Sequence, residues 1–174
     1  MAITRLNHAV LYVRDVERSV AFYRDILGFE LIERMSGLKG AAFLRAPSSN
    51  NDHDLGLFEI GDARNSGAGA GEVGLYHLAW EVETLADLST LAELLSAAGA
   101  LVGASDHGTT KSLYVKDPDG IEFEVAWIIP LSMLDDSAVA ASKRISPLNL
   151  SREIARYGAD TLGGVGISTK TSAS

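Results

Sequence analysis

Asn7-His8-Ala9-Val10-Leu11-Tyr12-Val13 and its echo Tyr76-His77-Leu78-Ala79-Trp80-Glu81-Val82 decide how this chain folds. Each segment has the alternation of a strand, and each carries a His near its start. The elements after each strand are repeated as well. Asp15 is placed to cap a helix running through Ile26-Leu27 and stopped by Gly28; Val16, Val20, Tyr23 and Leu27 would form its buried face. Thr84 is placed to cap a helix running through Leu95 and ended by Gly99. Short strands then come in both halves: Glu30 to Met35, Ala41 to Arg45 and Leu55 to Ile60, and again Leu101 to Ala104, Leu113 to Lys116 and Glu122 to Ile129. The same succession read twice is an internal duplication.

The expected fold class is therefore α+β, with two paired βαβββ modules over 4–62 and 73–130. One such module leaves a sheet face uncovered, so two are expected to pair around a shared concavity. The linker 63–72 is small and Gly-rich, including Ser66-Gly67-Ala68-Gly69-Ala70-Gly71. Residues 1–130 are read as one domain and 131–174 as a C-terminal extension, a lid or oligomer contact. The extension is expected to be helical from Arg152 to Tyr157 and loosely ordered from Gly163 onward.

The 174 residues carry a net charge of −8, which argues against a nucleic-acid partner, since phosphate binding needs basic patches. There is no cysteine, so disulfides, thiolate metal sites and cysteine nucleophiles are excluded. The apolar run Val125-Ala126-Trp127-Ile128-Ile129 is too short to span a bilayer, and no membrane association is expected. The N-terminus has no basic start followed by an apolar block, so a cytoplasmic location is the expectation.

Of the four histidines, His8 and His77 hold matched repeat positions. Two neutral imidazoles and one carboxylate make a facial set that leaves metal positions open, which suits non-haem Fe(II) and is also acceptable to Mn, Zn, Ni or Co. Strand alternation puts Glu122 and Glu124 on the same face, and periodicity does not choose between them. Glu59 is a further carboxylate that would make a four-ligand site. Counting by twos leaves Trp80 and Trp127 on the core side.

These residues resemble the vicinal oxygen chelate (glyoxalase/bleomycin resistance/dioxygenase) superfamily. The resemblance covers roughly residues 4–129 and rests on Asn7-His8-Ala9-Val10, on Phe22-Tyr23 with Leu27-Gly28-Phe29, and on Asp117-Pro118-Asp119-Gly120. A narrower signature, that of single-domain type I extradiol dioxygenases, is resembled by His107, Leu113-Tyr114, Asp117-Pro118, Gly120 and Glu124 in order and spacing. The resemblance implies that the two modules form an open metal-binding barrel, with His8, His77 and Glu124 as metal ligands, Fe(II) as cofactor and Mn(II) as the other possibility. It implies His53 as the acid–base group, and an imidazole suits that task because its ordinary pKa is about 6.5. It implies His107 and Tyr114 as donors that stabilise developing charge. The implied partners are a catechol, O2 and a second copy of the chain in a homo-oligomer. The competing expectations are a glyoxalase I-like metal-dependent lyase or isomerase, which needs neither His53 nor His107, and a metal-free protein that sequesters an aromatic drug.

Overall fold

In the computed structural model, residues 2–33 and 37–165 are described, and the tail from Gly166, expected to be loosely ordered, lies outside them. The chain divides into two compact units. The first runs to Ser66 and includes the turn Asp117–Gly120; the second holds Gly67–Lys116 and the chain from Ile121 onward.

In the first unit the elements are β1 (Ala9–Val13), α1 (Val16–Asp25), β2 (Glu30–Leu31), β3 (Ala41–Arg45) and β4 (Leu55–Glu59). They form one sheet in the order β1-β4-β3-β2, with β1 parallel to β4 and the other pairs antiparallel. Leu11 and Val13 of β1 are buried while Val10 and Tyr12 face away from the core, as two-residue alternation requires. The Asp15 side chain accepts a hydrogen bond from the Arg18 amide at 3.0 Å and so caps α1. The helix ends short of the expected Leu27. Gly28 takes a φ of +77°; its amide donates to the Arg24 carbonyl and the Phe29 amide donates back to the Tyr23 carbonyl, a chain reversal that favours a residue tolerant of positive φ. The buried face is consequently Ser19, Val20, Phe22 and Tyr23, and Leu27 is half-buried beyond the helix. The expected strand from Glu30 closes after Leu31, and its distal part falls on residues outside the described set.

The second unit repeats the plan as β5 (Leu78–Glu81), α2 (Leu85–Ala97), β6 (Leu101–Asp106), β7 (Thr110–Lys116) and β8 (Glu122–Ile128). Its sheet order is β5-β8-β7-β6, again with the first pair parallel. Thr84 caps α2 through a reciprocal box with Asp87. Leu85, Leu88 and Leu95 of the helix are fully buried, as are Phe123, Val125 and Trp127 on one face of β8. Both units thus have the expected α+β, βαβββ topology.

Residues beyond Pro130 are built into the second unit. A 3-10 turn (Leu131–Met133) leads to α3 (Asp136–Ala141), then β9 (Ser146–Pro147) and α4 (Leu150–Tyr157). The short β9 adds an antiparallel fifth strand at the β6 edge. The Tyr157 ring lies 5.6 Å from that of Trp127, whose indole N–H donates to the Thr161 carbonyl at 3.1 Å. The Gly163 and Gly164 amides donate to Glu83 and Ile128 carbonyls. A buried indole needs its N–H satisfied, and here the extension supplies the acceptor.

The Asp117–Gly120 turn is fastened by charge. The Asp119 side chain, only 6% exposed, pairs with Arg14 at 2.8 Å and with Arg18, and it also accepts from the Arg14 amide. Beside it the Tyr23 hydroxyl donates to Asp117 at 3.1 Å. Burial, followed by the Asp117 charge, pushes the Tyr23 phenol well above its ordinary pKa. Asp119→Ala leaves two guanidinium groups without their shared acceptor. It should lower stability by about 1.5–3 kcal/mol, read as a lower urea midpoint at unchanged slope.

Candidate active site

The sequence-marked residues fall in two sets, one in each unit. In the first, His8 stands just before β1 and His53 just before β4. Because β1 and β4 pair in parallel, the two histidines enter the sheet at neighbouring strand ends, and their ring centroids are 4.5 Å apart. His8 Nδ1 lies 2.7 Å from the Asn7 side-chain oxygen. An amide oxygen only accepts, so Nδ1 is the donor in this bond, and the neutral tautomer that makes it leaves the Nε2 lone pair available. The Phe43 ring packs edge-on against His53 at 5.1 Å.

Glu59, the candidate for a fourth ligand, ends β4 and is engaged elsewhere. Its Oε2 accepts from the Val16 amide at 3.1 Å, at the first turn of α1. A carboxylate there satisfies an orphan N–H and complements the helix dipole.

In the second unit, His77, His107, Tyr114 and Glu124 share one sheet region. Ala79, Glu124 and Tyr114 are cross-strand partners on β5, β8 and β7. The opposite face holds Trp80, Val125 and Leu113 in the adjacent row, and it is the one packed toward the core. His77 Nε2 is 3.4 Å from Glu124 Oε2. The Ser112 hydroxyl donates to the other oxygen, Glu124 Oε1, at 2.5 Å. Glu122, the alternative carboxylate, pairs with Lys116 at 3.2 Å near the turn. His107 Nε2 is 2.7 Å from the Tyr114 hydroxyl, and the His77 and Tyr114 ring centroids are 6.1 Å apart. Partial burial first, then the charge of Glu124, raises the Tyr114 phenol above its ordinary pKa, so it keeps its proton at neutral pH.

Ser112 carries no motif signal. Its place two residues before Tyr114 on a strand is the one clue, since alternation sends both to the same face. Tyr76, whose ring lies 4.6 Å from that of His77, likewise reads in the sequence only as part of a strand.

Two cis ligands about 2.1 Å from one ion stand about 3 Å apart, so the His77–Glu124 approach and its imidazole and carboxylate donors fit a divalent cation. Among the described residues, neither unit gathers three or more His, Asp or Glu side chains at metal-binding spacing.

The family model for the Glyoxalase/Bleomycin resistance protein/Dioxygenase superfamily matches residues 5–125. The chain belongs to this superfamily. Among its relatives is the manganese-dependent 2,3-dihydroxybiphenyl 1,2-dioxygenase of Geobacillus genomosp. 3, 31% identical over 127 residues, covering 71% of this chain and 36% of the relative. A probable lactoylglutathione lyase of Synechocystis is 30% identical over 125 residues, covering 69% of this chain and 92% of the lyase. The chain therefore spans about a third of that dioxygenase and nearly all of the lyase. A solved glyoxylase/bleomycin resistance protein/dioxygenase domain from Frankia sp. EAN1pec shares the fold, with a TM-score of 0.57 at 24% identity, over 72% of this chain and 92% of that one. The superfamily thus includes both oxygenase and lyase relatives of this chain. No helix among the described residues is long and apolar enough to cross a membrane.

The residue before His107 adds an electrostatic constraint. Burial pushes the Asp106 carboxyl upward, but Lys111, the Gly108 amide and Arg152 together outweigh it and hold its pKa below the ordinary value. A depressed carboxyl contributes stability that is fully present above its unfolded pKa of about 3.9 and is lost as pH falls through the lower folded value. Wild-type urea midpoints should therefore drop as pH is lowered from about 5 to 2, and Asp106→Asn should start lower and fall less steeply.

Proposed function

We propose that this protein is a metal-dependent extradiol dioxygenase, which opens a catechol-type ring beside its vicinal hydroxyls by inserting O2. The observation that carries the reading is the His107–Tyr114 pair at 2.7 Å beside the 3.4 Å His77–Glu124 pair, on one sheet of one unit. A lyase has no need of the first pair. The metal ligands in this reading are His8, His77 and Glu124, and Fe(II) is the ion, with Mn(II) the alternative that the name of the Geobacillus relative keeps in view. When bound, such an ion supplies Lewis acidity toward the two vicinal oxygens.

The chain's own groups supply the rest. Asn7 holds His8 with Nε2 free to ligate. Ser112 occupies one oxygen of Glu124 and so orients the other. His53 takes the proton of a catechol hydroxyl and returns one later, as acid–base catalysis by imidazole requires. In this reading His107 Nε2 donates to the Tyr114 oxygen, which leaves the hydroxyl of the protonated Tyr114 to donate to atoms that become negative as the ring opens.

The second reading is a glyoxalase I-like lyase, favoured by the match over 92% of the Synechocystis protein. Against it, the carboxylate that such a site would draw from β4 is Glu59, which caps α1 instead.

Anaerobic loading with Fe(II) or Mn(II), followed by catechol or 2,3-dihydroxybiphenyl in air, tests the two readings together. A yellow ring-opened product with equimolar oxygen uptake is expected. Loss of the hemithioacetal of methylglyoxal and glutathione, with no oxygen uptake, would replace the dioxygenase by the lyase. Given the oxygenase, His53→Ala should slow turnover by roughly 10²- to 10⁴-fold. Independently of turnover, Ser112→Ala should weaken metal affinity by about 10- to 100-fold, measured by competition with a chelator.

A further inference from the structure

The second unit buries a full set of charges that the proposed chemistry does not use. Lys111 is 1% exposed, and its Nζ lies 2.5 Å from Asp106 Oδ1, 3.1 Å from the Gly108 carbonyl and 3.1 Å from Glu153 Oε2. Glu153, on α4, is also 1% exposed, and its Oε1 accepts from Arg152 Nε at 2.8 Å. Arg152 reaches back to Asp106 Oδ2 at 3.2 Å. Asp106 Oδ1 further accepts from the Gly108 amide at 2.8 Å. A buried ammonium between two carboxylates is an expensive way to fill a core, and apolar side chains of equal volume serve stability as well or better.

What this cluster grips is the pair of residues on either side of His107. Lys111 bonds the side chain of the residue before it and the carbonyl of the residue after it. The turn is closed from the other side by α3. Gly108, at a φ of +79°, is packed so tightly that a Cβ there would sit 2.4 Å from the Ser142 amide nitrogen and 2.5 Å from the Ala138 carbonyl oxygen. Inside the turn, the His107 amide donates to Thr110 and the Thr109 amide to His107. The imidazole therefore leaves a backbone fixed on both flanks by the segment after Pro130, and it meets Tyr114 at the end of its reach.

We infer that Lys111 and Glu153 are positioning residues: through Asp106 and the Gly108 carbonyl, the C-terminal helix α4 sets where the His107 imidazole meets Tyr114. The role of His107 in catalysis rests on the dioxygenase reading; the control of its position does not. Neither Lys111 nor Glu153 touches substrate, and their contacts with the turn run through its backbone and Asp106. The buried charges are retained because ammonium-to-carboxylate and ammonium-to-carbonyl bonds have direction, which apolar packing lacks.

The test uses the full chain as Glu153→Gln, the double variant Lys111→Met/Glu153→Leu, and Tyr114→Phe. The double variant removes the ammonium and the Glu153 carboxylate together and leaves Asp106 with Arg152 and the Gly108 amide, so neither stays behind as a lone buried charge. Imidazole nitrogen shifts are read by long-range nitrogen–proton correlation, with His107 assigned through His107→Asn. In Glu153→Gln and in the double variant, the His107 Nε2 shift should move toward its position in Tyr114→Phe, while His8 and His53 stay in place. Unmoved His107 shifts in both variants overturn the inference. With metal loaded and catechol as substrate, kcat should fall by roughly 10- to 100-fold at a KM within about twofold. A parallel change in KM, with fixed His107 shifts, would reduce the cluster to ordinary structure. If the wild type turns over no catechol, the dioxygenase reading fails, and the imidazole shifts still decide the positioning.

Discussion

The second unit depends on one alternation along β8. Phe123, Val125 and Trp127 go into the core against α2, so Glu124 must face the other way. Central placement between β5 and β7 fixes this strand on both edges. A slip of one residue would bury Glu124 and expose an indole, exchanging a favourable transfer of apolar area for an unpaired buried carboxylate. The register is therefore overdetermined by the core, and the site inherits its geometry from it. Tyr114 and Ala79 stand beside Glu124 because Leu113 and Trp80 stand beside Val125. The functional side chains need no separate device to choose their face.

What could be read in the sequence was what local chemistry dictates. Thr84 and Asp15 announce helix starts because their short side chains accept from the amides that a first turn leaves unpaired. Gly28 and Gly99 announce the ends because both chain reversals need a positive φ. The duplicated strand order comes from those signals taken twice. Harder to read was anything set by a distant partner. Leu27 fits the helical period, but the turn at Gly28 withdraws it from the helix. Nothing local marks β9 as a strand, since its two residues pair only because the β6 edge is open to them. The carboxylate of Glu59 looks like a ligand by composition and caps α1 by geometry.

The site was legible to the same extent and for the same reason. Histidines and a Tyr at fixed spacing are conspicuous, because few residue types carry that chemistry. Ser112 is not, because serines are common and its meaning lies in the carboxylate opposite. Lys111 is the sharpest case. In sequence it belongs to a Thr-Thr-Lys-Ser run ahead of the strand expected from Leu113, yet the strand begins at Thr110 and Lys111 is among the most buried side chains of the unit. Its partner Glu153 is more than forty residues away, on a helix whose own pattern gives no hint that one acidic residue points inward.

That separation bears on how a fold shared by lyases and dioxygenases can be specialised. The βαβββ repeat supplies the His77–Glu124 corner, and a corner of that kind suits any chemistry in which a metal engages two adjacent oxygens. Length does not discriminate, since the match covers 127 residues of the long dioxygenase relative and 125 of the short lyase. Discrimination has to come from groups added around the corner, and in the dioxygenase reading proposed above these are His107 and Tyr114 on the β6–β7 turn and β7. A turn is the least rigid place to mount a hydrogen-bonding group whose value falls off within a fraction of an ångström. Securing it with buried charge drawn from a segment outside the repeat leaves the repeat free to keep its core while the turn is adjusted. In this protein the added segment also satisfies the Trp127 indole and extends the sheet, so the support for His107 is anchored in the same core that orients Glu124.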